Sequence, residues 1–326
     1  MSNKNTLWPL AVCAALCFFS RPGAADTLQL GIYAPRLPFP DNERRVAWAQ
    51  RVGQLLEAQS GLSIQARAFT KSSDLLAFVD AGRIQLVLAD PVFLVEFPHR
   101  FSALASGTGP EGPSPPYAVL VPSGYMGEGI NPLKKEKLAL VDVGRLEVAL
   151  LSNLSFEGLI NVVDWFGDID WVTDLSEATN RVTTKKVRAT LGYASVGRKS
   201  GLRISVRLRG IPLPMLAIVR NHVDDDVVTV MNSAVDGTGL SLPPAGPLSR
   251  LIPADPALLP RVQAATARPP GKPQPRRPVW SPSALQSLDR NYPVTRRRKV
   301  PLEPPLRRWR RPKFPKTGPG RGLVPK

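Results

Sequence analysis

Residues 84–97 read IQLVLADPVFLVEF, and this stretch decides the fold class. Ile84–Ala89 is almost entirely apolar, which is typical of a strand that is covered on both faces in a parallel sheet. Asp90 and Pro91 end the strand, and Pro91 suits the first turn of a helix that runs to Phe97. A buried strand that passes directly into a helix predicts a layered α/β fold.

The residues before this stretch show the same alternation of strand and helix. Leu28–Ala34 predicts a first strand, Asn42–Ser60 a helix that ends at Gly61, and Leu62–Phe69 a second strand. A short helix then follows Thr70–Asp74. A series of this kind predicts a mostly parallel sheet with helices on its faces. Ligands of such sheets bind at the carboxyl ends of the strands, often against helix N-termini.

A second α/β unit is predicted after residue 122. Further strands are predicted at Phe101–Ser106, Tyr117–Val121, Leu138–Val143, Ile169–Leu175, Thr190–Ser195, Ile204–Leu208 and Met215–Arg220. Further helices are predicted at Phe156–Phe166, Ser176–Arg188 and Asp224–Asp236, with Ser176 as the cap of the second of these.

The strong positive charge of the 326-residue chain, formally +17, lies outside this α/β body. Residues 268–326 contain 17 Lys and Arg, two acidic residues and 14 prolines, whereas residues 26–267 contain 24 basic and 24 acidic residues. The body is therefore neutral, and its charge does not indicate a nucleic-acid-binding domain. We predict that 268–326 is disordered and could contact anionic polymers or acidic lipids. The alternative is an incidental extension without a role.

The first 25 residues have the pattern of a secretory signal peptide. Lys4 precedes an apolar segment, Leu7–Phe19, that is too short to span a membrane, and small residues at 23 and 25 predict cleavage before Asp26. The alternatives are an uncleaved anchor or a buried N-terminal helix. Both cysteines lie in the apolar segment, so the mature chain would have no disulfide, thiolate metal site or cysteine nucleophile. We expect a periplasmic protein.

Sequence patterns for catalysis are missing from the chain. His99 and His222 have no partner motif, and there is no phosphate-cradling glycine loop, serine elbow or histidine metal pair. Asp168, Asp170 and Asp174 flank a predicted strand, where exposure or helix capping is expected rather than metal binding. We therefore expect a non-enzymatic protein without a cofactor or a metal.

The order of elements over residues 26–265 resembles the type II periplasmic solute-binding proteins of ABC transporters, in particular their phosphate/phosphite/phosphonate-binding branch. The segments that carry the resemblance are the first strand with Tyr33, the stretch from Thr70 to Pro91, Gly192–Ser195, Ile211–Met215 and the helix after the strand that follows them.

The resemblance implies two α/β lobes that close on a solute and do not catalyse a reaction. Lobe I would comprise 26–120 and 215–267, and lobe II 121–214, with hinges near Val121–Gly124 and Gly210–Pro214. It also implies a monomer that binds a small anionic solute and works with an ABC permease or a sensor kinase.

Several residues are candidates for solute binding in the first lobe. Thr70, Ser72 and Ser73 stand at a strand-to-helix junction, where hydroxyl and backbone N–H groups could hold an oxyanion or simply cap the helix. Tyr33 could line the cleft or pack in the core. Asp90 could accept a hydrogen bond from the solute or cap the next helix.

In the second lobe, the resemblance adds Tyr193 and the turn Val143–Glu147 to the candidates. The phosphonate-binding branch has a Ser/Thr-rich turn at this position, but here it reads VGRLE and contains no hydroxyl group. Arg145 could replace the hydroxyls as an anion clamp or pair with Glu147.

Two functions follow from these observations. The first is an exported receptor that captures a phosphate- or phosphonate-like oxyanion between its lobes. The alternative is a cell-envelope interaction protein, in which a degenerate binding fold carries a basic tail that binds anionic polymers.

Overall fold

The computed structural model describes residues 27–269, except 237–238 and 245. The predicted signal peptide and nearly all of the basic segment 268–326 lie outside the described residues, so the predictions made for them remain predictions. Among the described residues, no helix has the length and apolar character needed to cross a membrane.

Strands and helices alternate along most of the described chain. The strands are β1 (Leu28–Tyr33), β2 (Ile64–Ala68), β3 (Leu86–Ala89), β4 (Phe101–Thr108), β5 (Tyr117–Val121), β6 (Lys137–Val141), β7 (Asp168–Val172), β8 (Ala189–Tyr193), β9 (Arg203–Leu208), β10 (Met215–Val219), β11 (Leu240–Ser241) and β12 (Arg250–Pro253). The helices are α1 (Asn42–Ser60), α2 (Ser72–Asp80), α3 (Pro91–Glu96), α4 (Glu147–Leu150), α5 (Val162–Trp165), α6 (Leu175–Thr183), α7 (Ala194–Lys199), α8 (Asp225–Val235) and α9 (Leu258–Ala267). A π-helical segment, Leu151–Ser155, continues α4.

The strands form two sheets, which confirms the predicted two-sheet α/β fold. The first sheet has the order β11-β12-β4-β10-β3-β1-β2, and the second has the order β7-β6-β8-β5-β9. We call each sheet with its helices the first lobe and the second lobe. Both sheets are mixed rather than mostly parallel. In the first sheet β1 is parallel to β2 and β3, whereas β10 is antiparallel to β3 and β4, because it enters the sheet after the chain returns from the second lobe.

The chain passes between the lobes at 109–116 and again at 209–214. The second passage contains Gly210–Pro214, where a hinge is predicted. The first passage lies before the hinge predicted at Val121–Gly124, because β5 belongs to the second sheet. In β5, Tyr117 pairs with Tyr193 of β8 and with Leu208 of β9.

The sequence around 84–97 folds as predicted. β3 is buried on both faces, and α3 begins with Pro91 and has Asp90 as its N-cap. Helix α1 also has its predicted bounds, and Gly61 ends it with a φ of 72°, while its N–H donates to the Glu57 oxygen at 2.8 Å.

The helix predicted at Phe156–Phe166 is wrong over most of its length. The chain is helical before it, from Glu147 through Ser155, and again in the short α5. Glu157 and Gly158 have φ values of 53° and 76°, a left-handed conformation that interrupts a right-handed helix. Some of the apolar residues after residue 155 are therefore buried in a loop, and only those of α5 belong to a helix.

Two further boundaries differ from the prediction. Asp174 caps α6 by accepting a hydrogen bond from the Glu177 N–H at 2.8 Å, whereas the Ser176 hydroxyl donates to the Phe39 oxygen of the first lobe at 2.6 Å. The helix also ends at Thr183 rather than at Arg188.

Helix α9 follows the first sheet in sequence and contacts both lobes, because it packs against α3 of the first lobe and against α4 and the π-helical segment of the second lobe. The side-chain amide of Asn153, in the π-helical segment, donates to the Ala265 oxygen at 2.8 Å and to the Arg268 oxygen at 2.9 Å. These bonds satisfy carbonyl groups at the C-terminal end of α9, which would otherwise lack intrahelical partners.

Candidate functional site

The carboxyl ends of the parallel strands of both sheets meet at the boundary between the lobes. Tyr33 ends β1, Asp90 follows β3, and Asp142 and Val143 follow β6. The Tyr33 hydroxyl donates across this boundary to the backbone carbonyl oxygen of Asp142 at 3.0 Å, with the Val143 carbonyl oxygen at 3.4 Å. The lobes are therefore in direct contact at the edge where ligands of α/β sheets usually bind.

At the centre of this boundary lies Arg36, from the loop that follows β1. Its side chain is fully buried, and Nη1 lies 2.5 Å from Asp90 Oδ1 of the first lobe. Nη2 forms a salt bridge with the Glu147 carboxylate of the second lobe, which is also buried. We call Arg36, Asp90 and Glu147 the cleft triad. It joins the two lobes through a single guanidinium group.

Both carboxylates of the triad belong to residues at helix N-termini. Asp90 Oδ1 also accepts a hydrogen bond from the Val92 N–H at 3.2 Å, as the N-cap of α3. The Asp90 backbone N–H donates to the Tyr33 carbonyl oxygen at 3.2 Å, which fixes the acid beside β1. Glu147 is the first residue of α4. The positive end of a helix dipole favours a carboxylate, which reduces the cost of burying these charges.

Three tyrosines surround the triad. Tyr33 packs edge-on against Phe93, with ring centroids 5.5 Å apart, and Tyr117 packs edge-on against Tyr193 at 5.3 Å. The Tyr117 hydroxyl donates to the Leu191 oxygen at 3.3 Å. Burial is the main cause that raises the phenol pKa of all three tyrosines, so they remain neutral hydrogen-bonding groups.

Burial also decides the charge of the acids. It raises the pKa of Glu147 to about 7, although Arg36 lowers it and Asp90 raises it further. Burial raises the pKa of Asp90 too, against the opposing effect of Arg36. Burial disfavours the charge of Arg36, but the two carboxylates raise its pKa above the usual arginine value. The triad therefore has a net charge of −1 when both acids are ionised and becomes neutral when Glu147 takes up a proton.

Four buried polar atoms of this cluster have no hydrogen-bond partner among the described residues. They are Arg36 Nε, Asp90 Oδ2, Glu147 Oε1 and the Tyr193 hydroxyl. An unsatisfied buried polar group costs about 1–3 kcal/mol, and more if it is charged. The cluster thus offers a donor, two carboxylate acceptors and a phenol to a polar solute.

Further salt bridges join the lobes around the triad. Arg145 Nε lies 2.6 Å from Glu96 Oε1 of α3, and its N–H donates to Glu96 Oε2 at 3.1 Å. Arg45 of α1 lies 2.5 Å from Asp174 Oδ2 at the start of α6. Gly144 makes the first of these contacts sterically possible. Its φ is 148°, and a Cβ there would lie 2.5 Å from Glu96 Oε2.

The structure brings some of the predicted site residues together. Tyr33, Asp90 and Tyr193 all lie at the cleft triad, and Ser72 lies close to the Tyr33 side chain. Their role in binding stays a prediction, and Asp90 is both a helix cap and a charged partner.

The other predicted residues lie further out. Thr70 and Ser73 are exposed, and α2 has Lys71 as its N-cap without any side-chain cap. Arg145 is 83% exposed and pairs with Glu96, whereas Glu147 pairs with Arg36. The pairing of Arg145 with Glu147 considered from the sequence therefore does not occur.

Sequence reasoning missed Arg36, the central residue of the cleft. Arg36 lies in the proline-rich loop PRLPFPD directly after the first strand, at the edge where ligands were expected. The one basic residue in that loop was a usable signal, because ligand-binding edges are built from the residues that follow strands.

The three aspartates near β7 are engaged with basic residues rather than with each other. Asp168 lies 3.1 Å from Lys137 Nζ, and Asp170 pairs with Arg181. Asp174 caps α6 and pairs with Arg45. Within the described part of the chain, no group of three or more His, Cys, Asp or Glu side chains could hold a metal ion.

Several solved structures have a similar fold. PhnD1 from Prochlorococcus marinus, in complex with methylphosphonate, has a TM-score of 0.58 and 9% identity over 73% of this chain and 96% of that chain. A binding-protein component of an ABC phosphonate transporter from Pseudomonas aeruginosa has a TM-score of 0.53 and 11% identity, over 81% and 94%. A Xanthomonas citri protein bound to ATP has a TM-score of 0.54 and 13% identity, over 74% and 96%.

No protein-family model matches the chain, and no curated protein matches its sequence significantly. Identities of 9–13% establish similarity of fold alone. The chain therefore has the fold of periplasmic binding proteins, which confirms, for the fold, the resemblance seen in the sequence.

Proposed function

We propose that this chain is an exported, non-enzymatic solute-binding protein that captures a small solute between its lobes. The observation that carries the proposal is the buried convergence of Arg36, Asp90 and Glu147 with three tyrosines at the carboxyl edges of both sheets. Polar groups from both lobes meet there, so a solute bound among them would favour the closed arrangement over an open one.

A phosphate- or phosphonate-like oxyanion is the proposed solute. Arg36 is the guanidinium at the centre of the cleft, and the Tyr193 hydroxyl is an additional donor. A protonated solute oxygen could donate to Asp90 Oδ2. Two neighbours of the same fold are a methylphosphonate complex and a component of a phosphonate transporter, which supports this class of solute.

The charge of the triad sets a condition on an anionic solute. With both acids ionised, the net charge of −1 repels an anion in a site of low dielectric. Glu147, whose pKa is about 7, can take up a proton close to neutral pH and remove this excess charge. We therefore expect an oxyanion to bind together with a proton, and to bind more tightly at pH 6 than at pH 8.

Calorimetry of the whole exported chain tests this proposal with phosphate, phosphite, methylphosphonate and a sulfonate, and with a primary amine as the solute of opposite charge. We expect saturable binding of one oxyanion at pH 6. Arg36→Met should abolish it, whereas Arg44→Met, at a 73% exposed arginine, should not. Binding of the amine alone would reject the oxyanion, and no binding of any solute would reject the receptor function.

We also propose that the protein acts in the periplasm with an ABC permease or a sensor kinase, after cleavage before Asp26. N-terminal sequencing of the exported chain tests the cleavage site. The alternative role, binding of anionic polymers by 268–326, concerns residues outside the described part. Deletion of that segment should leave solute affinity unchanged if the cleft is the binding site.

A further inference from the structure

A cavity of about 670 Å³ lies on the second lobe, at the end of its sheet that is opposite the cleft. It is found where β6 and β8 begin and β5 ends, whereas the cleft lies at the carboxyl ends of β6 and β8. We call it the back cavity. Its lining residues are 122–125, Glu136, Lys137, Thr183, 185–188 and 200–202. Its volume is in the range typical of small-molecule sites.

The side chains around the back cavity are mainly basic. Lys137, Lys185, Lys186 and Arg188 line it, against the single acid Glu136. Lys137 pairs with Asp168 at 3.1 Å and Arg188 with Glu136 at 3.5 Å, but both pairs are exposed and such pairs are weak. Lys185 and Lys186 form no salt bridge with any described residue. The cavity therefore has an excess of positive charge that an anion could neutralise.

The backbone at Lys185 is unusual for a lysine. Its φ is 59°, and it lies just after α6 at the position where helices usually have glycine. The Lys185 N–H donates to the Val182 oxygen at 3.0 Å and the Lys186 N–H to the Arg181 oxygen at 2.9 Å, which closes the helix end. A side chain at this position strains the backbone, although a cation there also interacts favourably with the helix dipole.

The ring of Tyr125 forms part of the cavity wall. The Tyr125 ring has the guanidinium groups of Arg188 and Arg203 at 5.9 and 5.7 Å from its centroid. Its hydroxyl is buried and has no hydrogen-bond partner among the described residues. The exposed hydroxyls of Ser123 and Ser200 also line the cavity. The lining thus combines several cations with hydroxyl donors, the groups that bind phosphate.

We propose that the back cavity binds a small anion with two or more linked phosphate groups, independently of the solute in the cleft. A singly charged anion would meet only one or two of these exposed cations. A linked polyphosphate can contact the lysines on the 184–188 loop and Lys137 of β6 at the same time. The site is separate from the cleft, so it does not depend on the proposed receptor function.

Lysine acetylation of the whole chain, followed by mass spectrometry, tests the site with inorganic tripolyphosphate as the probe. We expect strong protection of Lys137, Lys185 and Lys186 at concentrations that leave Lys71 and Lys135 reactive. The readout is local, so anion binding by the basic segment after residue 268 does not affect it. Equal protection of all five lysines, or no protection, would overturn the proposal.

A matched pair of variants sharpens the test. Lys185→Gly removes a cavity cation at a position that suits glycine, and Lys135→Gly makes the same change at a φ of 65° outside the cavity lining. We expect the tripolyphosphate concentration that protects Lys186 to rise about five- to tenfold in Lys185→Gly alone, the loss of one charge-assisted contact. Equal midpoints in both variants would count against the site.

Discussion

The cleft and the back cavity both contain charged side chains of the second lobe, but these side chains differ strongly in their exposure to solvent. The cleft triad has side chains that are 0–1% exposed and paired at close range, whereas the cations paired with Asp168 and Glu136 are 45% and 51% exposed. A charge interaction is several times stronger in a buried environment than in water, and breaking it leaves an uncompensated charge. The cleft charges should therefore control stability and closure, and the cavity charges should affect stability little.

The largest expected effect is at Arg36. Arg36→Met should lower the free energy of unfolding by about 3–5 kcal/mol at pH 8, because it leaves Asp90 and Glu147 buried without a counter-charge. The loss should be smaller at pH 5, where the acids can become neutral. Urea unfolding measures both values, with Arg44→Met as a control that should stay within about 0.5 kcal/mol. A loss below about 1 kcal/mol at pH 8 would show that water reaches the triad.

The next effect is a pH dependence caused by Glu147. Its pKa is about 7 in the folded protein, above the usual glutamate value, so the folded state binds more protons between those two pH values. The contribution of Glu147 to the free energy of unfolding should therefore be fully present below the usual glutamate pKa. It should be lost, by about 2–3 kcal/mol, as the pH rises to about 7.

Glu147→Gln isolates this contribution. It should remove most of the difference in unfolding free energy between pH 5 and pH 8, whereas Glu157→Gln, at an exposed acid of the same lobe, should keep it. The groups that face Glu147 are Arg36, Asp90 and Asp142. An unchanged pH profile in Glu147→Gln would show that Glu147 does not cause the pH dependence.

A smaller effect is expected at Gly144, on the rim of the cleft. Gly144→Ala places a Cβ 2.5 Å from Glu96 Oε2 at a φ of 148°, and should cost about 2 kcal/mol. Gly124→Ala is the matched control, because nothing lies within 4 Å of its added Cβ. Small-angle scattering should show a larger radius of gyration for Gly144→Ala if the bridge between Arg145 and Glu96 helps to keep the lobes closed. An unchanged radius would mean that this bridge forms when the lobes close but does not keep them closed.

The smallest effect is expected in the back cavity. Lys185→Gly should leave the unfolding free energy unchanged or raise it by up to about 1 kcal/mol, because glycine adopts the left-handed conformation without strain. Lys186→Gly, at the next residue and without a positive φ, should lower it by about 0.5 kcal/mol. A clear loss in Lys185→Gly would mean that this lysine supports the fold rather than a ligand.

The sequence predicted those parts of the molecule that depend on local order. β3, Asp90 and the helix at Pro91 follow from an apolar run and a proline, and α1 follows from its apolar spacing and Gly61. The cleft triad could not be derived in this way. Arg36 and Glu147 are 111 residues apart, and only the packing of the two lobes makes them partners. The same holds for Arg145, which forms a salt bridge with Glu96 of the other lobe rather than with Glu147, the partner considered from the sequence.

The attachment of α9 to Asn153 has a mechanical consequence. Two chain passages alone would allow the lobes to rotate about a common axis, as a door turns on two hinges. The hydrogen bonds from Asn153 to the Ala265 and Arg268 oxygens add a third tie, made by the last described helix. Any rotation must either break this tie or carry α9 with the second lobe. A label pair on α9 and α1 would therefore report which lobe the helix follows when the molecule opens.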